Sequence, residues 1–268
     1  MTVGTVSTSG LARALSRTAS GGVIWLAFLG ALVLHLYARG VADNLGAGPY
    51  ALDGLERSLF GGIPTVWLQS RISTEQPLIT WTAAVLHASW FYLPIVLAAG
   101  VQLRLGRSAL VRLLSLQVVL FLACDAIFAI APTRPPWMEL EVVRVVDVVY
   151  RDTSNVDMNP VAAMPSLHVA LPALYTIWFA RRPEAELRAL SPLLAVWTLG
   201  VAWSVVYGGE HYMIDAVAGV AWAAVVYAGS SALAGAIATR RPRGAIALLR
   251  PRAAAAGRRP AEDKPKAA

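Results

Sequence analysis

Six apolar runs divide the sequence, at Gly22–Tyr37, Leu78–Ala99, Ala109–Ala131, Ala163–Ala180, Leu190–Tyr207 and Tyr212–Ile237, and the charged residues gather in the joints between them. A helix crosses the hydrocarbon of a bilayer in about 20 residues, and there the segment must satisfy its own backbone N–H and C=O groups. The pattern therefore predicts an all-α, polytopic membrane protein, a six-transmembrane-helix bundle over residues 21–239. Composition agrees: 15% of the chain is charged and mean hydropathy is +0.57, whereas a soluble domain of this size carries about 25% charged residues.

An even number of crossings puts both termini on one side. Seventeen of the 23 Lys and Arg residues then share that side, and six (Arg39, Arg57, Arg71, Arg134, Arg144 and Arg151) face the other. The positive-inside bias makes the terminal side cytoplasmic. Residues 1–20 form a short cytoplasmic segment. Nine of the basic residues follow Thr239 in a Pro- and Ala-rich stretch, residues 240–268, with no apolar periodicity. It reads as a disordered tail meeting anionic lipid headgroups, not nucleic acid. A second reading of the start is a cleaved signal ending near Ala42, which would leave five spans and move no motif. The single Cys124 excludes an intrachain disulfide.

Between the first two runs, Leu52, Leu55, Leu59 and Phe60 recur at helical spacing, with Asp53, Glu56 and Arg57 on the opposite face and Gly61, Gly62 and Pro64 closing the stretch. Too short and too charged to cross, Ala51–Arg71 is expected to be an interfacial amphipathic helix, an anchor or a lid.

His211 and Asp215 stand at i and i+4, one face of a helix at the start of the sixth run. A carboxylate there holds one imidazole nitrogen and frees the other as nucleophile or base. His168 opens the fourth run, preceded by Pro165 and Ser166. Proline suits a first helical turn, and the open N–H groups of a helix start bind anions, with the Ser166 hydroxyl adding a donor. From His168 to His211 the chain crosses twice, so both imidazoles return to one face, where a phosphate fits between them. Arg134, in a proline-rich loop after the third run, supplies a planar guanidinium suited to phosphate oxygens. Asp125 lies inside the third run, where an ionisable group is a functional candidate by default and, equally, a structural hydrogen-bond partner. His87 and His35 read as polar packing, and Glu210 as a solvated neighbour of the nucleophile or an orienter of an acceptor hydroxyl.

Together these residues resemble the type 2 phosphatidic acid phosphatase superfamily of six-span lipid phosphatases and phosphotransferases. Its motifs are Lys, six residues, Arg-Pro; Pro-Ser-Gly-His; and Ser-Arg, five residues, His, three residues, Asp. Arg134-Pro135, then Pro165-Ser166-Leu167-His168, then Ser204, His211 and Asp215 match in order and spacing, within a motif core of 132–219. Three positions depart: Ile127 stands for Lys, Leu167 for Gly and Val205 for Arg. Leu167, the Pro-Pro-Trp and the His-Tyr-x-x-Asp form with Tyr212 resemble the inositol phosphorylceramide synthase branch, which moves an inositol-phosphate headgroup. Two lost cations suit a phosphodiester, unless Arg144 or Arg151 replaces them.

The resemblance implies a phosphohistidine on His211 steadied by Asp215, with His168 as acid and then base, Arg134 and Ser166 on the oxygens, and no metal or cofactor. The partner is a membrane lipid, phospholipid or polyprenyl phosphate, met at the extracytoplasmic leaflet. Two rival readings stay open. One is a two-histidine, one-carboxylate metal site in a membrane hydrolase; the other is a lipid transporter or binding module using Asp125 and His87.

Overall fold

The computed structural model describes residues 8–42, 48–150 and 159–240, and among these it is helical throughout, with two isolated bridges but no strands. The elements run α1 (Thr8–Ala42), α2 (Asp53–Phe60), α3 (Pro64–Arg71), α4 (Pro77–Leu105), α5 (Arg107–Ile130), α6 (Pro136–Glu139), α7 (Val145–Tyr150), α8 (Leu167–Ala180), α9 (Ala185–Arg188), α10 (Ser191–Tyr207) and α11 (Met213–Arg240). Residues 1–230 form one compact unit; residues 231–268 form a second, described as helix as far as Arg240. The tail beyond Arg240 and Arg151 both lie outside the described residues.

Among the described residues, five segments are long and apolar enough to cross a membrane: Gly21–Val41, Pro77–Leu105, Arg107–Ile130, Ala185–Tyr207 and Met213–Leu233. The fourth predicted run differs. Its helix, α8, has 14 residues, about 21 Å at 1.5 Å per residue, short of the roughly 30 Å core. Burial accounts for this. Val169, Ala170, Leu174 and Tyr175 have no exposed surface, and α8 packs on α4, α5 and α10, so protein surrounds it and its length need not match lipid. The outer helices instead carry large exposed apolar side chains, such as Leu26 on α1, Leu103 on α4 and Leu199 on α10.

A polar tie crosses this interior beside a proline. Pro94 lies inside α4, and the Tyr175 hydroxyl sits 3.1 Å from its carbonyl and 2.9 Å from Gln117 Oε1 of α5. Such a tie satisfies groups that lipid cannot.

The stretch predicted as one amphipathic helix is two, α2 and α3, broken at Gly61 and Gly62. Its sides do not divide cleanly by polarity. Leu55, Leu59 and Phe60 are exposed and so is Arg57, while Leu52 is buried and Glu56 is 0% exposed. An apolar outer face suits a helix whose surroundings are lipid and headgroup instead of water.

Candidate active site

At one end of the bundle three extended segments knit together: Tyr50 N–H donates to the Pro132 carbonyl, Arg134 N–H to Tyr50 and Thr133 N–H to Val161. The Thr133 hydroxyl then accepts the Met164 N–H at 2.8 Å. This fixes the approach to α8. Residues 163–166, predicted as its first turn, run as a loop instead, with a cis Met164–Pro165 peptide and Ser166 as the N-cap. Pro165 therefore precedes the helix. Ser166 N–H donates to the Asp215 carbonyl at 3.0 Å, which ties this loop to the start of α11.

Asp215 is the third residue of α11, and its Oδ2 accepts the Tyr212 N–H at 2.9 Å. The same oxygen lies 3.5 Å from His211 Nδ1, and His211 Nε2 lies 3.1 Å from His168 Nδ1. Asp215, His211 and His168 thus form one line, the first two buried and the third half-buried. The 3.5 Å step is ion-pair distance rather than a closed hydrogen bond; such contacts tighten once the imidazole becomes charged in a reaction. Beside the line the Ser166 hydroxyl is fully buried, with no hydrogen-bond partner among the described residues.

The turn delivering His211 depends on Gly209, whose φ is +74° and where a Cβ would stand 3.0 Å from the Val143 carbonyl oxygen. Glycine meets that backbone at no steric cost. Val145 N–H and Trp137 N–H donate to the Gly208 and Gly209 carbonyls, so α6 and α7 brace the same turn.

Both candidate phosphate arginines are matched by carboxylates. Arg134, 42% exposed at its side chain, bonds Glu139 at 3.0 Å. Arg144, nearly buried, bonds Glu210 at 2.6 Å, approaches Asp147 at 3.6 Å and stacks 4.4 Å over Trp137. Glu210, 10% exposed at its side chain, is thus an ion-pair partner of Arg144, not a solvated neighbour. Tyr212 reaches the Arg134 pair: its hydroxyl lies 3.4 Å from Glu139. Asp125 pairs elsewhere, with His35 of α1 at 2.8 Å, and the structure does not bring it to the histidine line.

A family model described as the PAP2 superfamily matches residues 51–229, more than half of the chain. The chain belongs to the PAP2 superfamily. No curated protein and no solved structure matches it. PAP2 members are generally phosphatases or phosphotransferases, and with its apolar helices this chain is a membrane protein of that type.

The three departures from the PAP2 motifs each have a place. Leu167 is buried in the main core, and its carbonyl accepts the Trp90 indole N–H at 3.0 Å. Val205 is fully buried, and its carbonyl accepts the N–H groups of Glu210 and His211. Ile127 lines an apolar cavity of about 260 Å³ with Ala131, Thr133, Met164, Pro165, Ala218 and Trp222. Where the motif has a cation, this PAP2 protein has apolar space beside Pro165. The Trp222 indole N–H, buried and without a partner among the described residues, belongs to that lining.

One site neighbour escapes sequence reasoning. The His87 ring of α4 lies 4.7 Å from that of His168, and the Trp90 ring lies 5.0 Å from it. His87 and Trp90 are i and i+3, so one face of α4 presents both. That spacing was the available signal; nothing in the sequence says which helix that face meets.

Proposed function

We propose that this PAP2 protein cleaves the phosphoryl linkage of a membrane lipid and passes the phosphoryl group through a phosphohistidine on His211. The observation carrying this reading is the continuous line from Asp215 through His211 to His168. His211 Nε2 attacks phosphorus, a P–N bond forms and the P–O bond to the leaving alkoxide breaks. Asp215 steadies the imidazolium, and His168 donates a proton to the alkoxide. In the second step His168 takes a proton from water or an alcohol, whose oxygen displaces the histidine. The buried Ser166 hydroxyl and the start of α8 hold the equatorial oxygens as charge develops. An incoming phosphate replaces the direct 3.1 Å contact between the rings, and each ring then faces it from one side.

Two features favour a phosphodiester and headgroup transfer, as in the inositol-phosphate branch. Arg134 and Arg144 are each already matched by an acid, so the site offers little uncompensated positive charge, and a monoanionic diester needs less than a nearly dianionic monoester. The apolar cavity beside Pro165 suits a lipid chain. The excess of basic residues on the terminal side favours cytoplasmic termini and an extracytoplasmic site.

The test is mass spectrometry of lipid products after purified protein meets a membrane lipid extract, with and without chelator and vanadate. Headgroup-exchanged lipid, insensitive to chelator and blocked by vanadate, is the expected result; a free headgroup phosphate in its place means diester hydrolysis, and free orthophosphate means monoester hydrolysis. Activity abolished by chelator and restored by zinc would assign His168, His211 and Asp215 to a metal instead.

A further inference from the structure

The first turn of α11 carries Asp215 and follows directly on His211, yet its own sequence caps it poorly. The residue before Met213 is Tyr212, which has no short side-chain oxygen to fold back, whereas N-caps favour Ser, Thr, Asp and Asn. Asp215 supplies half of a capping box by accepting the Tyr212 N–H. The Met213 and Ile214 N–H groups still need acceptors. Both find them on Glu56, far earlier in the chain: Met213 N–H donates to Oε1 at 2.8 Å and Ile214 N–H to Oε2 at 3.0 Å.

Glu56 is 0% exposed, and removing a carboxylate from water costs several kcal/mol unless it is well bonded. Burial raises its pKa above the ordinary carboxylate range, with the Asp215 charge adding to the rise and the two N–H donors opposing it. The positive end of the helix dipole also favours an anion at this spot. Around it, Leu52 and Ile63 pack on the buried Tyr212 ring, with Met164 and Ile214 at the edge. The interfacial helix is therefore joined to the catalytic helix by a two-bond cap and an apolar seat.

We propose that Glu56 is a positioning residue for the His211–Asp215 pair, holding the N-terminus of α11 so that the Asp215 carboxylate stays on the nucleophile. Without Glu56, the half-buried Met213 and Ile214 N–H groups lose their acceptors, and the Asp215 carboxylate, already bonded to the Tyr212 N–H of the same turn, is drawn toward them. It then moves off His211. This inference rests on His211 being the nucleophile.

The experiment compares kcat and KM of wild type, Glu56→Gln, Glu56→Asp, Leu52→Ala and His211→Ala on the same membrane lipid extract in mixed micelles. Glu56→Gln keeps the size but turns an NH2 toward one of the two donors. It is expected to lower kcat about tenfold or more, the scale of a small misplacement of reacting groups, with KM within about twofold. Glu56→Asp keeps the charge with a shorter reach and is expected to recover part of kcat. Leu52→Ala loosens the same junction without touching the cap and is expected to keep kcat. Wild-type kcat in Glu56→Gln, a loss confined to KM, or an equal kcat loss in Leu52→Ala would each overturn the proposal. Should Glu56→Gln fail to fold, Glu56→Asp against Leu52→Ala decides by the same comparison. If His211→Ala stays active, the nucleophile reading itself has failed; if it is dead while Glu56→Gln turns over normally, only the role of Glu56 has.

Discussion

Replacing His211 with alanine is expected to lower turnover by about 10⁴-fold or more, the scale on which loss of an attacking group is measured in other covalent mechanisms, while the protein still purifies as a folded species. Structure supports both halves. His211 is the central member of the line, with Asp215 at 3.5 Å on one nitrogen and His168 at 3.1 Å on the other, so no neighbour can take its place without moving a helix. The fold loses little, because the turn is held by backbone: Glu210 and His211 N–H groups donate to Val205, and Ser166 N–H to Asp215. His168→Ala is expected to behave differently. It removes proton transfer but not the nucleophile, so on a substrate with an activated leaving group the first step should recover, while the second step, which still lacks its base, stays slow and phosphohistidine accumulates. The first-turnover burst on native and activated esters separates the two, together with acid-labile phosphate on the protein. Equal defects for both variants on the activated ester would argue against separate roles.

The second large effect is expected far from any ionisable group. Gly219 of α11 lies against the first turn of α8, and a Cβ built there would fall 2.5 Å from the Ser166 carbonyl oxygen and 3.3 Å from Ala170 N. Both obstacles are backbone, so no rotamer change relieves the clash. Close approach through a small residue is a common way for membrane helices to meet, and here the two helices carry opposite halves of the site. Gly219→Ala must push α11 from α8 and separate Asp215 and His211 from Ser166 and His168. A displacement of about 1 Å can cost 10²-fold in rate. Turnover about 100-fold below wild type is expected, with a lower thermal midpoint. Gly229→Ala is the control: nothing lies within 4 Å of a Cβ there, and alanine in a helix is favoured over glycine by about 0.5–1 kcal/mol. Wild-type turnover from Gly219→Ala would mean that the helices need not touch at this point for catalysis.

How much of this was legible in the chain can be traced residue by residue. The membrane helices were, because lipid offers no hydrogen bonds and the apolar runs must therefore be helical; the observed helices follow the predicted runs closely at α4, α5, α10 and α11. The meeting of His168, His211 and Asp215 was legible because the chain between the two histidines holds two apolar runs and a turn, long enough to go out and return. The start of α8 was misjudged, since proline suits both a first turn and the loop before one, and only the bonds from Met164 to Thr133 and from Ser166 to Asp215 choose the loop. The burial of Glu56 was missed because amphipathic periodicity marks two sides of α2 without saying which residue meets protein. At a membrane surface the apolar side can face outward. Glu210 looked solvated, since its partner Arg144 lies 66 residues away.

The sequence by itself determined which segments leave water and which residue types reach a common membrane face, because hydrophobic transfer and helix period act on neighbours along the chain. Only the tertiary structure decided the partners: Glu56 on the N-terminus of α11, His87 against His168, carboxylates on both arginines. These pairings depend on contacts between helices far apart in sequence, and local periodicity carries no record of them.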